Sequence, residues 1–167
     1  MNIKQIELLT RESKYNEALS ACRLLLEDDS IKKADVLRTR AYVYSHMGDY
    51  QSSLKDREKV LQLEEATLKD IYLAADNSLS LMDFKQAAAF LRELLELGEK
   101  QGEHWFDSAA YFLQAYTMME LGNYTDSLVN LEKSVDIEPN CAMPLPGLGM
   151  VGHKQLKAEI IKRQGNQ

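Results

Sequence analysis

The side chains of this 167-residue chain that could do chemistry are few and scattered. The three histidines, His46, His104 and His153, lie 58 and 49 residues apart. No two of them share the one-turn spacing that sets a pair of imidazoles on a zinc ion. Glu27-Asp28-Asp29 is acidic, but a calcium loop alternates its ligands and needs a glycine at its sharp turn, and this run does neither. It reads as the end of a helix and the start of a solvated turn. Cys22 and Cys141 are far apart in sequence, and free thiols are expected. No phosphate loop or dinucleotide fingerprint occurs. These residues imply no catalytic centre, no bound metal and no cofactor, which leaves recognition by a shaped surface.

The elements that would carry such a surface follow from a recurring turn. Leu121-Gly122-Asn123-Tyr124-Thr125-Asp126-Ser127-Leu128 places a helix-ending glycine before a capping residue and an aromatic, and Pro139-Asn140 stops the helix that follows. The same turn recurs at Gly48-Asp49-Tyr50, at Met82-Asp83-Phe84 and, more weakly, at Ser13-Lys14-Tyr15, in steps of 35, 34 and 40 residues. The first two steps match the period of a known helical repeat. The pattern predicts one domain over 1–167, made of helix pairs at about 1–33, 34–67, 68–107 and 108–141. Six extra residues at 98–103 predict a longer second helix or an exposed loop in the third pair, with Gly102 as the breaker. Leu145, Leu148, Leu156 and Ile160 stand at helical spacing and predict a capping helix over about 144–163, begun at Pro144 and Pro146 and weakened by Gly147, Gly149 and Gly152.

On these residues the chain resembles the tetratricopeptide repeat family. In the fourth copy Tyr111, Ala115, Tyr124, Ser127, Leu131, Ser134 and Pro139 occupy the family's large and small packing places, with serine twice replacing alanine. The second copy offers Leu37, Ala41, Tyr44, Gly48, Tyr50, Ser53 and Val60, and the third Ile71, Ala75, Phe84, Ala87, Leu91 and Leu94. The resemblance implies an all-α, right-handed alpha-alpha superhelix in which small residues let paired helices approach and stacking buries the faces that one pair cannot. It also implies that the first helices line a concave groove. The partner-binding set carried onto this sequence is Arg38, Tyr42, Lys69, Tyr72, Asp76, Phe112, Tyr116 and Met119. Of the places where some family members grip a terminal carboxylate, held here by Ile3, Glu7, Thr39, Lys69 and Leu73, only Lys69 fits. Arg40 and Arg57 stand where the family usually has apolar residues. Either their stems pack while the charges reach water, or they pair with carboxylates of a neighbouring repeat or a bound protein.

Composition agrees with a helical chain: 45% of residues are hydrophobic and only 3 are proline. The net charge of -6 and the lack of a long basic cluster argue against nucleic acid and against anionic membrane as main partners. Lys154, Lys157, Lys162 and Arg163 make the last segment locally basic, which suits the negative end of a helix. Neither a secretory signal nor a membrane-length apolar run is apparent, so a cytoplasmic protein is expected. The functional expectation is a noncatalytic module that holds a peptide or helical segment of a protein partner in its groove. The alternatives are a bacterial secretion chaperone or toxin-neutralising immunity protein, and a self-associating scaffold that forms a homodimer.

Overall fold

A computed structural model of the chain describes residues 2–63 and 66–166. Glu64 and Glu65, which fall near the end of the second expected pair, and the terminal Met1 and Gln167 lie outside the described residues. The elements run α1 (Ile3–Arg11), α2 (Tyr15–Leu26), α3 (Lys33–Met47), α4 (Tyr50–Leu61), α5 (Leu68–Ser80), α6 (Phe84–Gln101), α7 (Asp107–Glu120), α8 (Tyr124–Ile137), β1 (Ala142–Leu145), β2 (Gly149–Gly152) and α9 (His153–Gln164). Among the described residues, no helix is long and apolar enough to cross a membrane. The chain divides into two compact units, Met1–Asn77 and Ser78–Gln167.

Each helix pair closes through the recurring turn. Ser13, Gly48, Met82 and Gly122 all adopt left-handed backbone, with φ of 60°, 78°, 57° and 78°. The side chains of Asp49, Asp83 and Asn123 then accept hydrogen bonds from the backbone N–H groups of Ser52, Gln86 and Asp126, satisfying donors that a helix start leaves open. Lys14 makes no side-chain cap at the equivalent place, in keeping with the weaker first copy.

In the first unit, Ile6, Ala18, Ala21, Cys22, Leu25, Val36 and Val43 form a common core. Cys22 is a free thiol, and burial pushes its pKa up to about 11, so it behaves as a small apolar side chain. Ser53 fastens three helices. Its fully buried hydroxyl donates to the Ala41 carbonyl at 2.8 Å, lies 2.8 Å from the Ser45 hydroxyl and accepts from Asn77 Nδ2 at 2.6 Å. Serine in place of alanine therefore adds a bond without adding enough bulk to separate the helices.

The second unit repeats the device: Ser127 donates to the Ala115 carbonyl at 2.6 Å, twelve residues back, as Ser53 does to Ala41. The six extra residues of the third pair lengthen α6, which runs to Gln101 and stops at Gly102 with φ 69°. The expected capping helix over 144–163 is corrected: residues 142–152 form an antiparallel hairpin, pairing Met143 with Val151 and Leu145 with Gly149, and the helix begins at His153. The two prolines explain the difference. A residue before proline is pushed into extended backbone, so Met143-Pro144-Leu145-Pro146 resists helix over four positions, and Gly147 and Gly149 supply the positive φ that the reversal needs. Leu145 and Val151 point inward at 3% and 5% exposure, while Met150 faces out.

The non-glycine residues at two of the turns carry the steric cost of left-handed backbone. Met82 is an exposed side chain with little packing to lose, so Met82→Gly is expected to raise stability by roughly 0.5–1 kcal/mol. Gly48→Ala, where an added Cβ would meet nothing within 4 Å, is expected to lower it by about 1 kcal/mol through backbone strain alone. Equilibrium urea unfolding of both variants measures the two shifts.

Candidate functional site

The first unit holds a pocket of about 450 Å³ lined by Glu7, Arg38, Thr39, Tyr42, Arg57, Thr67, Lys69, Asp70 and Leu73. Arg38, Thr39 and Tyr42 share one side of α3, because successive turns bring positions three and four apart together. Lys69 and Leu73 do the same on α5, Glu7 comes from α1 and Arg57 from α4. Three of the expected partner-binding residues, Arg38, Tyr42 and Lys69, therefore meet in this cavity. Tyr42 is half-buried, its ring 4.1 Å from the His46 imidazole, and Lys69 is exposed. Tyr72 and Asp76 are also on α5, outside the pocket lining, half-buried and exposed respectively.

A carboxylate anchors the wall. Asp70 is 3% exposed and receives the Arg38 guanidinium as a fork, Nε to Oδ1 at 3.0 Å and Nη2 to Oδ2 at 2.8 Å. Its Oδ2 also accepts from the backbone N–H and the hydroxyl of Thr67, at 2.9 and 2.8 Å. Burial alone would push the Asp70 carboxyl up, but the bonds from Arg38 and Thr67 outweigh it and hold the carboxyl below its ordinary value. Arg38 is further engaged by Asp35 at 3.0 Å, so its charge is spent largely within the protein. Asp70 and Thr67 were absent from the sequence-derived site, although Thr67-x-x-Asp70 is the spacing of a helix-start capping box and was the signal available.

The two unusual arginines have different fates. Arg40 donates to Asp56 of its own helix pair, Nε to Oδ2 at 2.6 Å and Nη2 to Oδ1 at 2.8 Å, so it needs neither solvent nor a neighbouring repeat. Arg57 is 5% exposed, and its Nε is buried with no hydrogen-bond partner among the described residues. Burial pulls its pKa down, opposed at longer range by Asp70 and Asp76. The Asp76 carboxyl is pushed up by the protein around it, and Arg57 offsets this only in part.

In the second unit the chain covers its own expected binding face. Phe112, Tyr116 and Met119 are 0%, 1% and 1% exposed, which removes them as ready contacts for a partner. The Tyr116 hydroxyl donates to the Pro146 carbonyl in the hairpin at 2.8 Å, and burial, with Glu120 nearby, pushes its pKa up to about 12. The Phe112 ring meets His153 edge-on at 5.2 Å, and the Tyr116 ring meets Phe84 at 5.8 Å. Arg163 adds a bond to Glu120 at 2.9 Å and to Glu159 at 2.9 Å, so this basic residue of the last helix fastens it to α7. Among the described residues, no three His, Cys, Asp or Glu side chains converge as a metal site would require.

The class of protein defined by these features is an all-α repeat protein built from antiparallel helix pairs. Residues 108–141 match the tetratricopeptide repeat family model, and the chain as a whole shares the fold of solved proteins described as carrying that repeat. A tetratricopeptide repeat protein from Parabacteroides merdae ATCC 43184 shares 18% identity at a TM-score of 0.71, covering 98% of this chain and 57% of its own. MamA from Desulfovibrio magneticus RS-1 gives 19% and 0.69, covering 81% and 73%. YrrB, described as a protein of this repeat with an unusual peptide-binding site, gives 22% and 0.66, covering 82% and 67%. No curated protein sequence matches the chain.

The ion pair in the pocket wall gives a pH dependence of known sign. A carboxyl whose folded pKa is depressed stabilises the protein above its unfolded value, about 3.9, and loses that contribution as pH falls toward the folded value. Asp70→Asn is expected to cost about 2 kcal/mol at neutral pH and to flatten the loss of stability below about pH 4, read by urea unfolding across pH. Tyr116→Phe should cost about 1 kcal/mol by stranding the Pro146 carbonyl, measured the same way at pH 7.

Proposed function

We propose that this protein is a noncatalytic interaction module that holds a segment of a protein partner against the α3 and α5 faces of its first unit. The observation that carries this reading is the 450 Å³ pocket, because it gathers Tyr42, Lys69 and Leu73 on adjacent first helices with part of their surface still open. Its volume falls within the range of ordinary ligand pockets, about 300–1,000 Å³. A half-buried tyrosine offers apolar area with a polar tip, and an exposed lysine sets orientation by charge. The presence of a peptide-binding protein among those that share the fold supports the same choice. The net charge of -6 favours a protein partner over nucleic acid.

Binding rests on the first unit in this reading, since the aromatic residues of α7 are engaged by the chain's own hairpin and last helix. Coprecipitation followed by mass spectrometry identifies the partner, and titration then measures its affinity. The double variant Tyr42→Ala, Lys69→Ala is expected to weaken binding at least about tenfold, the size of loss typical of interface anchors, with helical circular dichroism unchanged. Full affinity in the folded double variant would remove the pocket from the binding surface.

A further inference from the structure

Tryptophan is on average a highly buried residue, yet Trp105, the chain's single tryptophan, is 89% exposed. The backbone that presents it is held on both sides. Before it, the Glu103 N–H donates to the Gly98 carbonyl at 2.9 Å, and α6 comes so close that a Cβ on Gly98 would stand 2.7 Å from the Glu103 carbonyl oxygen. After it, the Asp107 N–H donates to the His104 carbonyl at 3.2 Å, and His104 Nδ1 lies 2.8 Å from Asp107 Oδ2. A ring held out on a fixed loop loses little freedom when a partner buries it. The same unit carries a socket. A cavity of about 260 Å³ between α8 and α9 is walled by Leu128, Leu131, Val135 and Pro139. An engineered apolar cavity of about 150 Å³ takes up benzene, so this one has room for an indole. Ring and socket stand at one end of the unit. Ser134 on α8 donates to the Ser108 carbonyl on α7 at 2.9 Å and lies 2.9 Å from His153 Nε2, so the start of α7, the end of α8 and the start of α9 meet there. Trp105 immediately precedes that start of α7, and Pro139 and His153 line the cavity.

We propose that this end of the second unit is a twofold interface between two copies of the chain, in which Trp105 of each copy enters the α8–α9 cavity of the other. Because ring and socket share one end, a twofold rotation closes both contacts at once and leaves no free ring to recruit a third copy. Charge supports the same pairing. The lip of the cavity carries exposed Lys154 and Lys157 from α9 and exposed Glu132 and Asp136 from α8, while Lys100 and Glu103 flank Trp105. Each loop charge therefore meets a partner of opposite sign at the lip. Area sets the strength. Two rings and two sockets, at about 150–250 Å² each, bury roughly 600–1,000 Å². That is below the ~1,200 Å² at which stable specific interfaces begin, so the pair is weak and reversible. The surface is separate from Tyr42 and Lys69 of the first unit and does not rest on the function proposed for them.

The single tryptophan makes the contact directly readable. As the wild-type chain is concentrated from about 1 µM to about 1 mM, its mass by sedimentation equilibrium is expected to rise from one chain to two and stop there. Trp105 emission should move to the blue, and its quenching by acrylamide should fall, over the same range. Trp105→Ala removes the ring, and Val135→Lys places a charge in the socket. Each is expected to weaken pairing at least about tenfold with helical circular dichroism unchanged. In a mixture of the two variants only the Val135→Lys copy fluoresces, and its emission should turn blue as the Trp105→Ala copy, whose socket is intact, is added to about 1 mM. A monomer throughout the range, mass growing beyond two chains, or a dimer in which Trp105 stays open to acrylamide would overturn the inference. So would Trp105→Ala pairing as tightly as wild type, or emission in the mixture that does not move.

Discussion

The hydroxyl of Ser53 is the point from which the first unit takes its dimensions. It is small enough to let α3 and α4 close, and it is bonded to Ala41 on one and to Asn77 on α5, so three helices share one buried polar centre. A buried hydroxyl is costly without partners and rigidifying with them. Arg57 sits one turn beyond Ser53 on α4, and Arg38 one turn before Ala41 on α3. The separation of the pocket's charged groups is consequently set by the Ser53 contact, far more than by the long and adaptable arginine side chains themselves. Ser127 bonds the Ala115 carbonyl in the same way in the second unit, joining α8 to α7, the helix whose Tyr116 reaches the hairpin.

The polar groups of the first unit show how strongly pairing governs what a charge can do. Arg38, Arg40 and Arg57 belong to one helix pair, yet two of them are held in place by forked carboxylates, whereas the buried Nε of the third has no acceptor among the described residues. Sequence position did not distinguish them. Their difference arises from which aspartate each guanidinium reaches first, and the reach is decided by helix crossings. Arg38 lines the pocket from α3, but its double engagement by Asp70 and Asp35 makes it a wall element more than a contact for a partner.

Much of the architecture was legible because it is local. A turn that needs left-handed backbone, an Asx cap and an aromatic after it can be recognised wherever it recurs, even where Met82 or Ser13 stands in for glycine. Gly102 ended the long α6 for the same local reason. The hairpin is hidden in the sequence because Leu145, Leu148, Leu156 and Ile160 mimic helical spacing, and prolines suit a first helical turn as well as the extended backbone that two X-Pro steps favour here. In the site, Arg38, Tyr42 and Lys69 were placed by register, whereas Asp70 and the bare Nε of Arg57 depend on partners far along the chain. Phe112, Tyr116 and Met119 fall in the same register on α7, but register alone does not reveal that residues 30 or more positions downstream cover that face.

The hairpin has a consequence for how such a chain can change length. Its grip on the preceding helices is made through Tyr116 and Pro146, within the neighbourhood of the last helix pair, and the two X-Pro steps keep its extended form without help from the earlier pairs. A duplication of an internal helix pair would leave this hairpin and the helix it covers together, so copy number could drift by whole repeats while the rings of α7 stay covered. A duplication that separated α7 from residues 142–152 would instead bare the rings of Phe112 and Tyr116, and would be disfavoured as an exposed apolar patch.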